Sequence, residues 1–295
     1  SDLPDATVRE VLECWASFKK TSVSKYDALL RATGEGDRLR GCFQFAGAGR
    51  TWREAGRIFQ PQNLPRPGFD DVEFSSQLII ENNPELLECL FGDVMNALAS
   101  SIRSSIRAPD GRAICVADLN AIENRILGWM TQCGSIMEVF RAGLCPYKSY
   151  AVHLLDKPYD QITKAERTFA KPPVLGGGYM LGAKTLVEYA ASMGVTMTLE
   201  EATVARDIFR DTYPEVVEFW SAVESAFREC IIRRCTVDCW PLVFEWSAPL
   251  VRMWLPSGRS INYVRPRIEP RRMPWGQVRP AITYEGVNQK TRKWN

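Results

Sequence analysis

No window of the 295-residue chain approaches 18 uninterrupted apolar residues, the length at which a stretch reads as a transmembrane helix. The opening segment, SDLPDATVRE, lacks both a basic stretch and an apolar core, so a secretory leader is not expected there. Closely spaced cysteine pairs are lacking too. The nine cysteines are odd in number and scattered, which argues against a secreted disulfide framework and for reduced thiols. Together these absences place the chain in a cytosol with no membrane partner. Histidine is nearly missing, His153 being the only one. A zinc module on Cys230, Cys235 and Cys239 therefore has no histidine nearby to complete four ligands, and its spacings are wide for a knuckle. Packing is the better account of those thiols. Internal repeats and low-complexity linkers are absent as well.

What remains is a chain with 45% hydrophobic residues, enough to fill one elaborate domain or two modest ones. The net charge of +2 hides an asymmetry. From Arg252 to Asn295 there are ten Lys or Arg against two Glu, a local +8, while the preceding 251 residues carry 27 basic and 33 acidic residues, a local −6. Clustered cations suggest a polyanion partner, since they release counterions from phosphates. A solvated basic tail is the plainer alternative.

Apolar Val8, Leu12, Trp15 and Phe18 recur at helical spacing, and Gly34 to Gly36 end that first segment. Residues 41–68, rich in Gly, Arg and aromatics, read as short exposed strands and loops. A core-facing helix is expected from Pro84 to Ile106, carried by Leu87, Leu90, Phe91, Met95 and Leu98. The run AICVAD reads as a buried strand ending at Asp118, followed by a helix with Ile122, Ile126 and Met130 on one face. Thr163 and Thr198 each open a Thr-x-x-Glu capping box and fix two helix starts. Another amphipathic helix is predicted over Pro214 to Ile231, and strands and loops over 235–295.

Two constellations carry chemistry. A carboxylate at the end of a buried strand, Asp118, is costly unless paired, hydrated or bound to a cation, and Glu123 follows in the first turn of the next helix. Capping of that helix is the bland role for Asp118. In ERTFAKPPVLGGGYMLG, Arg167, Lys171, Leu175 and Tyr179 are spaced by four, so a helix would align two cations ahead of two apolar groups. Two such cations can grip one triphosphate; a solvated basic face is the alternative. Pro172, Pro173 and Gly176 to Gly178 oppose a helix, and by propensity alone Pro172 to Gly178 is a loop. The glycines also raise a phosphate-binding P-loop, but with Gly177 and Gly182 as its glycines, Ala183 stands where lysine is required.

DLNAIENR resembles motif A of family A DNA polymerases, and the spacing of Arg167, Lys171 and Tyr179 is similar to their motif B on the fingers. GRIFQPQNLPRP resembles the palm segment before motif A, and ITYEGVNQKTRKW the stretch after the fingers in phage members. The resemblance implies an α+β fold, a partial polymerase right hand with a palm sheet and a mainly helical fingers domain. It would divide the chain into the end of a thumb at 1–37, palm with motif A at 38–135, fingers with motif B at 136–280 and a return to the palm at 281–295. It implies template-directed DNA synthesis from deoxynucleoside triphosphates on primer–template DNA. Asp118, with the Leu119 carbonyl, would bind catalytic Mg²⁺. Arg167 and Lys171 would hold the triphosphate. Glu123 would exclude a ribose 2′-hydroxyl, Tyr179 would pack beside the nascent pair and contact Glu123, and Leu175 would line the nucleotide. Gln62, Asn63, Arg66 and Arg125 would touch the primer–template, although Arg66 stands about one position off the family's arginine.

There are departures. Leu175 stands where many bacterial members have Phe, Met180 replaces a common Gly, and the two prolines would kink the fingers helix. The family completes its metal site with a His-Asp-Glu motif after the fingers, whereas His153 precedes motif B and is followed by Leu154 and Leu155. A split polymerase is therefore expected, with a complementary polypeptide supplying the second carboxylate; a non-catalytic DNA-binding or interaction protein derived from a polymerase is the other reading.

Overall fold

The computed structural model describes residues 8, 11, 24–49, 51–273, 276–288, 291, 293 and 294. The helix expected on Leu12, Trp15 and Phe18 lies outside the described residues. Two compact units divide the chain, residues 1–117 and 118–295. Among the described residues no helix is long and apolar enough to cross a membrane.

The first unit begins with helix α1, Ser24–Ala32, and a short hairpin of β1, Thr33–Gly34, and β2, Arg38–Leu39. Gly36 turns that hairpin with φ +69°, a conformation open to glycine at no steric cost. Next come β3, Phe43–Gln44, and its partner β4, Ala55–Gly56, short strands as composition foretells, with β3 exposed but Gly56 of β4 buried. Helices α2, Val72–Ile80, α3, Pro84–Phe91, and α4, Val94–Ser101, complete the unit. Each starts on a side-chain cap, from Asp71, Asn83 and Asp93 respectively, and such caps satisfy amides the helix leaves unbonded. The single helix expected over Pro84 to Ile106 is thus two helices and a terminal 3₁₀ turn. Gly92 takes a left-handed conformation at φ 74° and ends α3, and Asp93 restarts the chain as α4. Leu87 is buried as expected, while Leu90 is 52% exposed.

The expected strand AICVAD is not formed. Residues 112–119 form no helix or strand and are exposed, Val116 at 83%. A strand needs a neighbour to take its amides and carbonyls, and none of the described strands pairs with this segment.

The second unit carries helices α5, Ile122–Thr131, α6, Gly134–Arg141, α7, Pro146–Leu155, α8, Lys164–Phe169, α9, Lys171–Gly177, α10, Ala183–Ser192, α11, Leu199–Thr212, and α12, Pro214–Arg233. Both capping boxes form, Thr163 with Glu166 and Thr198 with Glu201. Lys157 also pairs with Glu166, and that pairing, then the Thr163 amide and hydroxyl, hold the Glu166 carboxyl down to about 2. Helix α5 does not bury the face that its isoleucines mark. Ile122 and Ile126 are exposed, and Asn124, Gly128 and Thr131 are buried instead. Close approach explains this: a Cβ on Gly128 would lie 2.6 Å from the Ile136 side chain of α6, so the small residues face the packing partner.

A five-stranded antiparallel meander follows: β5, Val237–Cys239, β6, Leu242–Ser247, β7, Leu250–Trp254, β8, Ser260–Arg272, and β9, Val278–Glu285. Phe244 and Val251 on the sheet meet Phe227 and Cys230 of α12 in one buried cluster, with the Phe227 and Phe244 rings stacked at 5.2 Å. Strands over 235–295 are what the sequence predicts, and the class is α+β.

The segment Pro172 to Gly178, a loop by propensity, is mostly helix. Pro172 and Pro173 occupy the first turn of α9, where an amide donor is not required. The helix is interrupted there: α8 ends at Phe169 with Ala170 as its cap, and the Val174 amide donates to Ala170 O at 3.4 Å. Gly177 lets α9 seat on α11, because a Cβ there would lie 2.6 Å from the Phe209 ring. Alanine at 177 gains helix propensity but must displace a buried ring. Gly177→Ala is expected to destabilise by about 1–3 kcal/mol, as overpacking does. An unchanged melting temperature would show that the ring yields.

Candidate active site

Side chains of the two constellations meet in a hydrogen bond. Helix α5 presents Glu123 in its first turn, and α9 runs out at Gly177 into a tight turn. There the Tyr179 amide donates to Gly176 O at 3.0 Å, and the Met180 amide to Gly177 O at 2.9 Å. That turn delivers Tyr179, whose hydroxyl donates to Glu123 Oε2 at 2.9 Å. The predicted contact is present, though by another route than a continuous helix: Tyr179 lies beyond the end of α9. Tyr179 is itself 65% exposed, so its ring presents a face to solvent beside the carboxylate.

Arg167, on α8, is held from a direction the sequence does not reveal. Its Nε donates to Cys145 Sγ at 3.3 Å, and its guanidinium lies over the Tyr147 ring, 5.3 Å from the centroid. A planar cation on an aromatic face keeps its fork ordered and its remaining donors usable. Burial works to raise the Cys145 thiol, but the Lys148 and Tyr147 amides and the Arg167 guanidinium outweigh it and bring the thiol below its ordinary value. Tyr147 is pushed up, by burial first and then by the nearby Cys145, with Glu123 adding to it and Arg167 opposing. Burial and then Glu123 also raise Tyr189, on α10. Glu123 thus acts electrostatically on Tyr147 and Tyr189 and bonds to Tyr179, while Arg167 sits on Tyr147.

Lys171 opens α9, half-buried, with no ion pair among the described residues. Leu175 follows one turn on and is half-buried. Asp118 and Leu119 are exposed in the irregular segment before α5. Asp118 does not cap that helix, whose cap position is Ala121. Among the described residues no three His, Cys, Asp or Glu are grouped to hold a metal ion. Arg125 is exposed; its Nε donates to Asn120 O at 3.0 Å and its guanidinium sits 4.2 Å from the Phe140 centroid. Gln62, Asn63 and Arg66 belong to the first unit, exposed on and just after the 3₁₀ turn Pro61–Asn63. His153 is an exposed residue of α7.

Cys145, Tyr147 and Tyr189 were not legible as site residues. Cys145 is 22 residues from Arg167, and no local spacing links them. Chemically, these contacts offer a guanidinium ordered on an aromatic ring and a carboxylate fixed by a phenol, with Lys171 four residues on from Arg167 across the helix break.

The sequence profile of DNA polymerase family A matches residues 79–237, a span that includes Asp118, Glu123, Arg167, Lys171 and Tyr179, and the chain belongs to that family. The DNA polymerase of Bacillus phage SP02 is 32% identical over 295 residues, covering 98% of this chain and 44% of the phage protein. DNA polymerase I of Aquifex aeolicus (strain VF5) is 31% identical over 129 residues, 43% of this chain and 22% of that protein. In fold, the chain resembles the POL domain of Pol1 from M. smegmatis, solved in complex with DNA primer-template and dNTP, with a TM-score of 0.50 at 19% identity, over 74% of this chain and 32% of that one. The chain therefore spans less than half the length of the phage polymerase it matches.

Proposed function

We propose that these residues are the palm and fingers part of an enzyme that extends primer–template DNA with deoxynucleoside triphosphates, and that the second catalytic carboxylate comes from polypeptide outside them. The observation that carries this reading is the Tyr179 hydroxyl on Glu123, which joins the helix after Asp118 to the turn after Lys171. Arg167 and Lys171 bind the triphosphate oxygens, Arg167 with its fork already ordered by Tyr147 and Cys145. Glu123 closes the space beside the sugar, and Leu175 and Tyr179 line the base. Gln62, Asn63, Arg66 and Arg125 face the primer–template.

Mg²⁺ fits the donors at Asp118. A carboxylate and a backbone carbonyl are hard oxygen ligands, and Mg²⁺ is commonly held by one or two carboxylates together with substrate phosphates and water. When bound it supplies charge neutralisation at the attacked phosphate and activation of the primer hydroxyl. Asp118 would hold it, and Arg167 and Lys171 would bind the triphosphate oxygens.

Primer extension tests the reading. These 295 residues alone are expected to incorporate little nucleotide, and adding a polypeptide with the palm hairpin carboxylate should restore Mg²⁺-dependent synthesis. Robust synthesis without it would overturn the missing-carboxylate argument; failure to restore synthesis, with DNA still bound, would favour a non-catalytic DNA-binding protein. In the restored enzyme, Glu123→Ala should erode discrimination against ribonucleotides by about 10- to 200-fold, the range that one steric feature of a pocket supplies. Tyr179→Phe should give part of the same loss. An unaltered ratio of ribo- to deoxynucleotide incorporation in both variants would remove Glu123 from that role.

A further inference from the structure

The basic stretch noted in the sequence has a defined shape. Strand β7 pairs with β8 only over Ser260 to Val264, so from Arg267 onwards β8 is bonded to β9 alone. The hairpin therefore continues as a two-stranded ribbon. Six residues, Arg267 to Arg272, extend it by about 20 Å at the usual strand rise. Near its base, charges are matched: Arg265 pairs with Glu285 at 2.9 Å, Arg267 lies 3.6 Å from Glu285, and Thr283 donates to Glu269. The far end carries more arginine. Arg271, Arg272 and Arg279 are exposed, and neither Arg271 nor Arg272 has an acidic partner among the described residues.

Register sharpens the point. Arg271 and Arg279 are direct cross-strand partners, and like charges in that relation destabilise a sheet. Strand addition by another protein is disfavoured, because Pro266, Pro270 and Pro280 remove amide donors along the ribbon. Arginine clusters suit phosphate oxygens, and a two-stranded ribbon has the width to enter a duplex groove.

We propose that this ribbon is a separate grip on the phosphate backbone of duplex DNA, made by Arg271, Arg272 and Arg279 and distinct from the nucleotide site. The proposal rests on the polymerase reading for its choice of polyanion. It is tested on the 295-residue chain with a fluorescent duplex, titrated by anisotropy across a range of salt. Each lost phosphate contact lowers the slope of log K against log salt by about 0.9, so the double variant R271Q/R272Q should bind more weakly, with a slope shallower by about 1.8. The variant R271K/R272K should keep the wild-type slope. Identical slopes for R271Q/R272Q and wild type would overturn the ribbon assignment, as would equal displacement of the DNA by polyglutamate, which would make the partner an acidic protein. A lowered slope with no tightening of the complex by a matched deoxynucleotide would leave the ribbon standing and count against the polymerase reading. No DNA binding by the wild-type chain would sink both.

Discussion

Asp118→Ala is expected to lower primer extension by about three orders of magnitude in the enzyme restored with its second carboxylate. A metal acting as a Lewis acid contributes several kcal/mol to a phosphoryl transfer, and each 1.36 kcal/mol is tenfold in rate; losing roughly 4 kcal/mol gives that factor. The rest of the molecule should be indifferent. Asp118 is exposed, caps no helix and lies outside the buried clusters, so the melting temperature should stay within about 1 °C, as surface substitutions usually do. DNA affinity without nucleotide should be unchanged as well. Asp118→Asn should lose almost as much activity, since an amide keeps the shape but not the charge. Extension at the wild-type rate in either variant would remove Asp118 from the metal site. A large fall in melting temperature would instead reassign it to the fold.

The split between what could and could not be read follows a physical line. Features set by residues close in sequence were legible: both capping boxes, the α12 helix from Pro214, the strands after residue 235. So was the spacing of Arg167, Lys171 and Tyr179. Features set by distant partners were not. AICVAD has the composition of a buried strand, but composition supplies no neighbour to pair with. The isoleucines of α5 mark an apolar face, yet Gly128 and its approach to Ile136 decide which face is buried. Pro172 and Pro173 do stand at an interruption, between α8 and α9, but that they would open a new helix by lying in its first turn was not evident. Cys145 and Tyr147 hold Arg167 across 20 or more residues of chain, a relation only the folded α7 and α8 create.

Phe209→Ala is expected to destabilise the second unit by about 3–5 kcal/mol, the usual cost of deleting a buried aromatic ring. The ring is 1% exposed and sits at the centre of an aromatic group, 5.0 Å from Tyr213 edge to face and 6.1 Å from Tyr150. Tyr150 is itself fixed by donating its hydroxyl to Ala205 O, so the neighbours cannot readily collapse into the void. For a unit of this size each kcal/mol moves the melting temperature by about 2–4 °C, which puts the drop at roughly 6–20 °C. Phe209 is also the surface on which Gly177 rests, and the turn that follows Gly177 carries Tyr179 to Glu123. Removing the ring should therefore loosen the site as well as the core, raising the KM for nucleotide even at temperatures where the unit stays folded. Phe209→Leu, which refills much of the volume, should recover most of the stability. A melting temperature within 2 °C of wild type for Phe209→Ala would show that α9 does not depend on α11 for its position, and with it the packing route proposed for the Tyr179 contact would fail.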